Sequence, residues 1–170
     1  LMTAINEALP ADGYLVADGG FAAHWGGLLF DTKKAGRSFV PDRGFASIGY
    51  GLPGAMGVAI AAPGKTVMSL TGDGGFMFGV QELATAVQYR IGLITLIFNN
   101  NSFGNVRRDQ INFFDGHVYG SELHNPDLVK LAESFGAAAY RANSPQQFRT
   151  LLENALIESE RGPVVIEIPC

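Results

Sequence analysis

Two clusters of oxygen-bearing side chains in this sequence could do chemistry together. The first is Asp73, set among glycines in Gly72-Asp73-Gly74-Gly75; the second is the run Asn99-Asn100-Asn101. Glycines let backbone N–H groups come close to a ligand, and a helix start just beyond them favours an anion. A carboxylate among phosphate-binding amides would by itself repel the phosphate. A divalent cation between them removes the conflict, because magnesium takes a few protein oxygens and shares its other positions with substrate phosphates. Taken alone, Asp-Gly is equally a turn signal. The spacing adds weight to the metal reading: Asp73 and Asn100 lie 27 positions apart, enough for a strand end, a helix and the next strand end. On neighbouring parallel strands, roughly 4.8 Å apart, both would emerge at one edge of the sheet.

The elements that must position them can be read from the apolar pattern. Short β-branched runs predict strands over Tyr14–Ala17, Ser38–Val40, Thr66–Leu70, Leu93–Phe98, Ala138–Arg141 and Val164–Ile168. Helix-length stretches separate them, with helices expected over Gly49–Ala61, Val80–Tyr89, Pro126–Phe135 and Pro145–Ser159, and another in the opening LMTAINEAL. Continuous apolar strands alternating with helices indicate a parallel sheet covered on both faces. Asn125-Pro126 and Ser144-Pro145 each place a capping side chain before a proline at the first helical position. Gln147, three residues after Ser144, completes a capping-box pattern, and Gly136 supplies a helix stop. The expected architecture is a single doubly wound α/β domain over residues 1–170, with a mostly parallel sheet of about six strands and helices on both faces. Ligands of such folds sit at the carboxyl ends of the strands. Here that edge carries Asp18-Gly19-Gly20, Gly72-Asp73-Gly74-Gly75 and the three asparagines.

Composition narrows the classes of function. With 47% hydrophobic and 16% charged residues, the chain is more apolar than an ordinary soluble domain, yet its apolar runs are too short to span a bilayer. The excess is expected to serve as contact surface for another subunit or domain. A net charge of -4, with only the pair Arg107-Arg108 as a basic feature, argues against nucleic acid. One cysteine, Cys170, leaves no internal disulfide and no thiolate zinc site. No secretory signal is visible, so the expected setting is the cytoplasm. The chain opens at Leu1 inside an apparent helix, which suggests a fragment of a longer polypeptide.

Gly72-Asp73-Gly74, the helical QELATAVQY and the closing Asn99-Asn100 resemble the GDG…NN motif of thiamine diphosphate enzymes. The resemblance spans nearly the whole chain. DRGFASIGYGLPGAMGVAIA, NPDLVKLAESFGA and GPVVIEI are similar to the diphosphate-binding, C-terminal domain of the acetolactate synthase and benzoylformate decarboxylase group. It implies the thiamine diphosphate-binding fold, with thiamine diphosphate and Mg2+ as cofactors and a 2-oxo acid as substrate of a decarboxylase or carboligase. It implies metal binding by Asp73, the Asn100 side chain and the Ser102 carbonyl. The amides of Gly74 and Gly75, with those around Gly20, Phe21 and Ala22, would hold the diphosphate; Gly72, Phe103 and Gly104 flank the same site. Ile48 takes the place of the bulky apolar residue that bends the cofactor, and the Ala46 carbonyl would accept a hydrogen bond from its aminopyrimidine. Asn105 would face the reacting centre.

Departures from the family pattern bear on activity. Acetolactate synthases carry GMV-x-QW after the double asparagine, whereas this chain has GNVRRD, with Asn105 in place of the methionine and Asp109 in place of the tryptophan. Dedicated acetolactate synthesis is therefore not implied. Family members activate the pyrimidine with a glutamate from a separate N-terminal domain, usually on a partner subunit. Glu7, Glu82, Glu122 and Glu133 all fall in ordinary helix or loop positions. The chain is thus expected to be half a site, either an isolated cofactor-binding domain or a small subunit inactive alone, within a homodimer or homotetramer. A rival reading is a Rossmann dinucleotide site, because Gly49-Tyr50-Gly51-Leu52-Pro53-Gly54 matches G-x-G-x-x-G. The buried strand that must precede that string is missing. His24 is read as a surface or interface residue, His117 and His124 as solvated, and Phe113-Phe114 as packing residues.

Overall fold

A computed structural model describes residues 1–170. Six strands form one sheet: β1 (Tyr14–Ala17), β2 (Phe39–Pro41), β3 (Val67–Gly72), β4 (Leu93–Asn99), β5 (Ala138–Arg141) and β6 (Pro163–Pro169). Their order is β2-β1-β3-β4-β6-β5, and every neighbouring pair is parallel. The helices are α1 (Met2–Ala8), α2 (Phe21–Leu29), α3 (Gly51–Ala61), α4 (Asp73–Gly79), α5 (Glu82–Gln88), α6 (Gly104–Phe113), α7 (Leu128–Ser134) and α8 (Pro145–Glu158).

Successive strand residues face opposite sides, so the uninterrupted apolar strands feed two cores. Leu15, Met68, Leu70, Ile94, Leu96 and Ile166 pack on α1, α2 and α8 through Ile5, Ala22, Phe148 and Leu152. Val16, Val67, Ile97 and Val165 pack on the other face against Leu52, Phe76, Leu83 and Leu128, from α3, α4, α5 and α7. Each such fully buried side chain contributes about 1.5–3 kcal/mol. This is the expected doubly wound α/β fold. The chain steps from β1 outward to β2 but from β3 toward β4 in the opposite direction. The crevice where those directions diverge, at the carboxyl ends of β1 and β3, is where such sheets take ligands.

Four local expectations differ from the structure. α2 went unforeseen because FAAHWGGLL carries two glycines, poor helix formers. Packing demands one of them: a Cβ on Gly26 would stand 3.2 Å from the Phe39 ring and 3.3 Å from Leu70. The helix expected over Val80–Tyr89 is α5, Glu82–Gln88, but a separate helix that was not expected, α4, precedes it from Asp73 to Gly79. α6 also went unforeseen; it buries none of its residues, so no apolar stripe announces it, and Phe113 and Phe114 project into solvent rather than packing. Finally, α7 is capped by Asp127, whose side chain accepts from the Lys130 amide, and not by Asn125. The Ser144 cap of α8 is present as expected, with the Gln147 amide donating to its hydroxyl at 3.1 Å.

Candidate functional site

The register brings the proposed residues to one edge. β1 and β3 pair through Ala17 and Leu70, and β3 and β4 through Gly72 and Phe98. Asp18, Asp73 and Asn100 therefore leave adjacent strands at the same end of the sheet. Three helices start there: α2 at Phe21 after Gly20, α4 at Asp73, and α6 at Gly104. The first N–H groups of a helix have no partner within it, and the helix dipole makes that end favourable to anions. The three starts touch one another. Gly104 lies against the Phe21 ring and the Asn100 amide, Gly74 lies against Phe103, and the Arg108 guanidinium sits 5.2 Å from the Phe21 ring centroid. A cleft of about 520 Å³ opens between α2 and α6, lined by Phe21, Asn100, Ser102, Arg107, Arg108 and Glu122 among others.

Asp73 is buried, and its Oδ2 accepts from Asn125 Nδ2 at 2.6 Å. Asn101 adopts a left-handed φ of 53°, which turns the chain after β4 as its position in the asparagine run suggests. Ser102 then forms an isolated antiparallel pair with Glu122, flanked by Phe103 N–H to the Ser121 carbonyl and Leu123 N–H to the Asn101 carbonyl, both 2.8 Å. That makes Ser102–Glu122 the non-hydrogen-bonded kind of pair, in which the residue's own N–H and C=O point away from the partner. The Ser102 carbonyl accepts no hydrogen bond from the chain. One carboxylate, one amide oxygen and one free carbonyl suit magnesium, whose remaining positions go to water or phosphate. The donor set fits the metal. The chain contains no group of three or more His, Cys, Asp or Glu side chains that could hold an ion.

Asp18 is the residue whose role the sequence did not disclose. It is buried, and its carboxylate accepts from the Gly19 amide at 2.7 Å, the Gly49 amide at 2.9 Å and the Thr71 hydroxyl at 2.7 Å. One side chain thus ties the ends of β1 and β3 to the start of α3. Gly75 must lack a side chain for this to fit, since its Cβ would stand 2.5 Å from Asp18 Oδ2. The Gly49 tether also holds the preceding loop over the end of β1. There the Ala46 carbonyl and Ile48 Cγ2 crowd Gly19, at 2.9 and 3.0 Å from where its Cβ would be. Ala46 has a left-handed φ of 58°, a costly conformation for alanine that the surrounding loop enforces. Asp42, in the same loop, has its carboxyl pKa raised, first by burial and then by the negative charge of Asp18.

Asn105 lies in the first turn of α6, and its Oδ1 is buried without a partner. His24 is exposed on α2, and His117 is exposed with Nδ1 3.0 Å from the Phe114 carbonyl. His124 borders a second crevice of about 240 Å³ with Phe78, Phe103 and Asn125. The glycines of Gly49–Gly54 do not follow a strand directly, since β2 ends at Pro41; the strand–turn–helix context of a dinucleotide fingerprint is absent. Cys170 is exposed just after β6, and its thiol pKa is raised by partial desolvation first and then by the charge of Asp73.

A doubly wound parallel sheet with three helix N-termini at the edge that holds buried Asp18 and Asp73 defines the class of α/β domain that takes its ligand at the strand ends. The chain belongs to the thiamine pyrophosphate enzyme family: residues 18–168 match that family's C-terminal TPP binding domain. It is 38% identical to a probable acetolactate synthase large subunit of Methanocaldococcus jannaschii, over 99% of this chain and 28% of that protein. It is 32% identical to the 3D-(3,5/4)-trihydroxycyclohexane-1,2-dione hydrolase of Bacillus subtilis, over 89% of this chain and 24% of that protein. A Rhodococcus jostii thiamine diphosphate-dependent 4-hydroxybenzoylformate decarboxylase superposes with a TM-score of 0.88 at 27% identity, covering 98% of this chain and 31% of that one. The chain thus spans about a quarter to a third of the length of these relatives.

Proposed function

We propose that residues 1–170 form one domain that binds the diphosphate of thiamine diphosphate through Mg2+, as the C-terminal part of a cytoplasmic 2-oxo acid decarboxylase or carboligase. The observation that carries this reading is the convergence of the α2, α4 and α6 N-termini on the edge that holds buried Asp73. Asp73, Asn100 Oδ1 and the Ser102 carbonyl would hold the ion. The amides of Gly20, Phe21, Ala22, Gly74 and Gly75 would donate to diphosphate oxygens. The loop tied down by Asp18 would offer the Ala46 carbonyl to an aminopyrimidine and Ile48 as an apolar wedge. The open acceptor of Asn105 would meet a donor from cofactor or substrate. Bound thiamine diphosphate would supply carbanion-stabilising chemistry at a carbonyl carbon, and the protein would position it and limit water.

The remaining parts of such a site would come from a pyrimidine-binding domain, on the same or a partner chain, within a homodimer or homotetramer. Exposed Trp25 and Leu28 on α2, Phe78 on α4, Phe113 on α6 and Phe114 just after it offer the apolar surface for that assembly. No helix is long and apolar enough to cross a membrane.

A thermal-shift experiment tests the reading. Thiamine diphosphate should raise the melting temperature with magnesium present and not with EDTA. Asp73→Ala should abolish the shift, and NADH should give none. An equal shift in EDTA would refute the metal-bridged mode.

A further inference from the structure

We propose that Asn125 is a positioning residue that orients the cation-binding carboxylate of Asp73; this rests on the reading of Asp73 as a metal ligand. Asn125 lies outside the helices and strands, immediately before Pro126. Its Nδ2 donates to Asp73 Oδ2 at 2.6 Å, and no other side-chain donor reaches that carboxylate. A hydrogen bond to an ionised acceptor is among the stronger kinds.

The orientation of the amide follows from its neighbours. Nδ2 faces three oxygens: Asp73 Oδ2, Asn99 Oδ1 at 3.2 Å and Asn101 Oδ1 at 3.2 Å. Turning the amide over would set its oxygen against all three. Asn99 cannot turn instead, because its own Nδ2 donates to Glu167 Oε1 at 2.7 Å. Glu167 is buried, and Arg141 Nε holds its other oxygen at 2.7 Å; Arg141 Nη2 reaches Asp127 at 2.8 Å. A hydrogen-bonded chain therefore runs from Asp127 through Arg141, Glu167, Asn99 and Asn125 to Asp73. It connects α7, β5, β6 and β4 to the first residue of α4.

With Oδ2 engaged by Asn125, Oδ1 of Asp73 accepts no hydrogen bond from the chain and remains for a cation. A metal-bound carboxylate fixed in this way loses no orientational freedom when the ion arrives. Losing such an outer partner typically weakens metal affinity about 10–100-fold. Asn125 does not need to touch the ion or substrate; it acts through Asp73.

The test is Mn2+ binding to the full chain in excess thiamine diphosphate, followed by electron paramagnetic resonance. Asn125→Ala removes the donor, and Asn125→Leu removes it while keeping comparable bulk, as a second variant should the alanine chain fail to fold. Both should bind Mn2+ about 10–100-fold more weakly than the parent chain. The bound-ion spectrum should broaden as the ligand carboxylate gains freedom. Ser144→Ala, which weakens a helix cap far from the site, should leave affinity and spectrum unchanged; loss there too would make the effect one of stability and overturn the proposal. Asn125 variants that bind within twofold of the parent, with the parent spectrum, would overturn the role of Asn125 while leaving the assignment of Asp73 standing. A parent chain that leaves all Mn2+ free in the presence of thiamine diphosphate would remove the assignment of Asp73, and this proposal with it.

Discussion

Replacing Asp18 tests whether one buried carboxylate holds the crevice together. In Asp18→Ala the amides of Gly19 and Gly49 lose their acceptor, while the Thr71 hydroxyl keeps an alternative in the Gly72 carbonyl at 3.1 Å. Each orphaned donor costs about 1–3 kcal/mol, so the expected loss for the two amides is about 2–6 kcal/mol, with the part-buried Gly49 amide toward the lower end. At about 2–4 °C per kcal/mol for a chain of this size, that lowers the melting temperature by roughly 4–24 °C. Asp18→Asn should cost less, under about 1.5 kcal/mol, because its oxygen still serves both amides and the Thr71 hydroxyl can turn to accept from Nδ2. Urea titrations of the three chains give the free energies directly. The Gly49 tether also fixes the loop carrying Ala46 and Ile48, so Asp18→Ala should weaken thiamine diphosphate binding beyond what its stability loss explains. An alanine variant within about 0.5 kcal/mol of the parent, the usual range for an unimportant surface site, would refute this reasoning.

Two further outcomes follow from local chemistry. Ser144→Ala should cost about 1 kcal/mol by removing the cap of α8, seen as a lower urea midpoint; no change would show that Pro145 alone starts the helix. Asp42 carries a pH signature. Burial and the charge of Asp18 raise its folded pKa above the unfolded value, so the folded chain holds that proton more tightly. Its contribution is complete below the unfolded pKa and is lost as pH rises through the folded one. Asp42→Asn should therefore flatten that part of the decline in stability between acidic and neutral pH, measured by urea midpoints; an unaltered profile would contradict it.

Much of the fold was legible because buried parallel strands are continuous apolar runs, and Leu93–Phe98 or Val164–Ile168 admit little else. The near and far halves of the proposed metal site, Asp73 and Asn100, were legible because one strand end, a helix and the next strand end separate them. What escaped was fixed by tertiary contact. α2 contains glycines that only the Phe39 ring explains, and α6 lies on the surface with no apolar stripe to announce it. Asp18 was placed on the ligand edge by its position after β1, but its tethering role stayed hidden because two of its donors, Gly49 and Thr71, are distant in sequence. Asn125 was read as a cap because a proline follows it, yet Asp127 on the far side of that proline could cap equally well. The fold used Asp127, which left Asn125 for Asp73.

The most direct measurement is a crystal structure of the chain grown with thiamine diphosphate and Mn2+, with anomalous data at the manganese edge. The predicted result is one strong peak bonded to Asp73 Oδ1, Asn100 Oδ1 and the Ser102 carbonyl, with diphosphate oxygens completing its shell below the starts of α2 and α4. A diphosphate bound there without an ion, or a peak that avoids Asp73, would contradict the assignment.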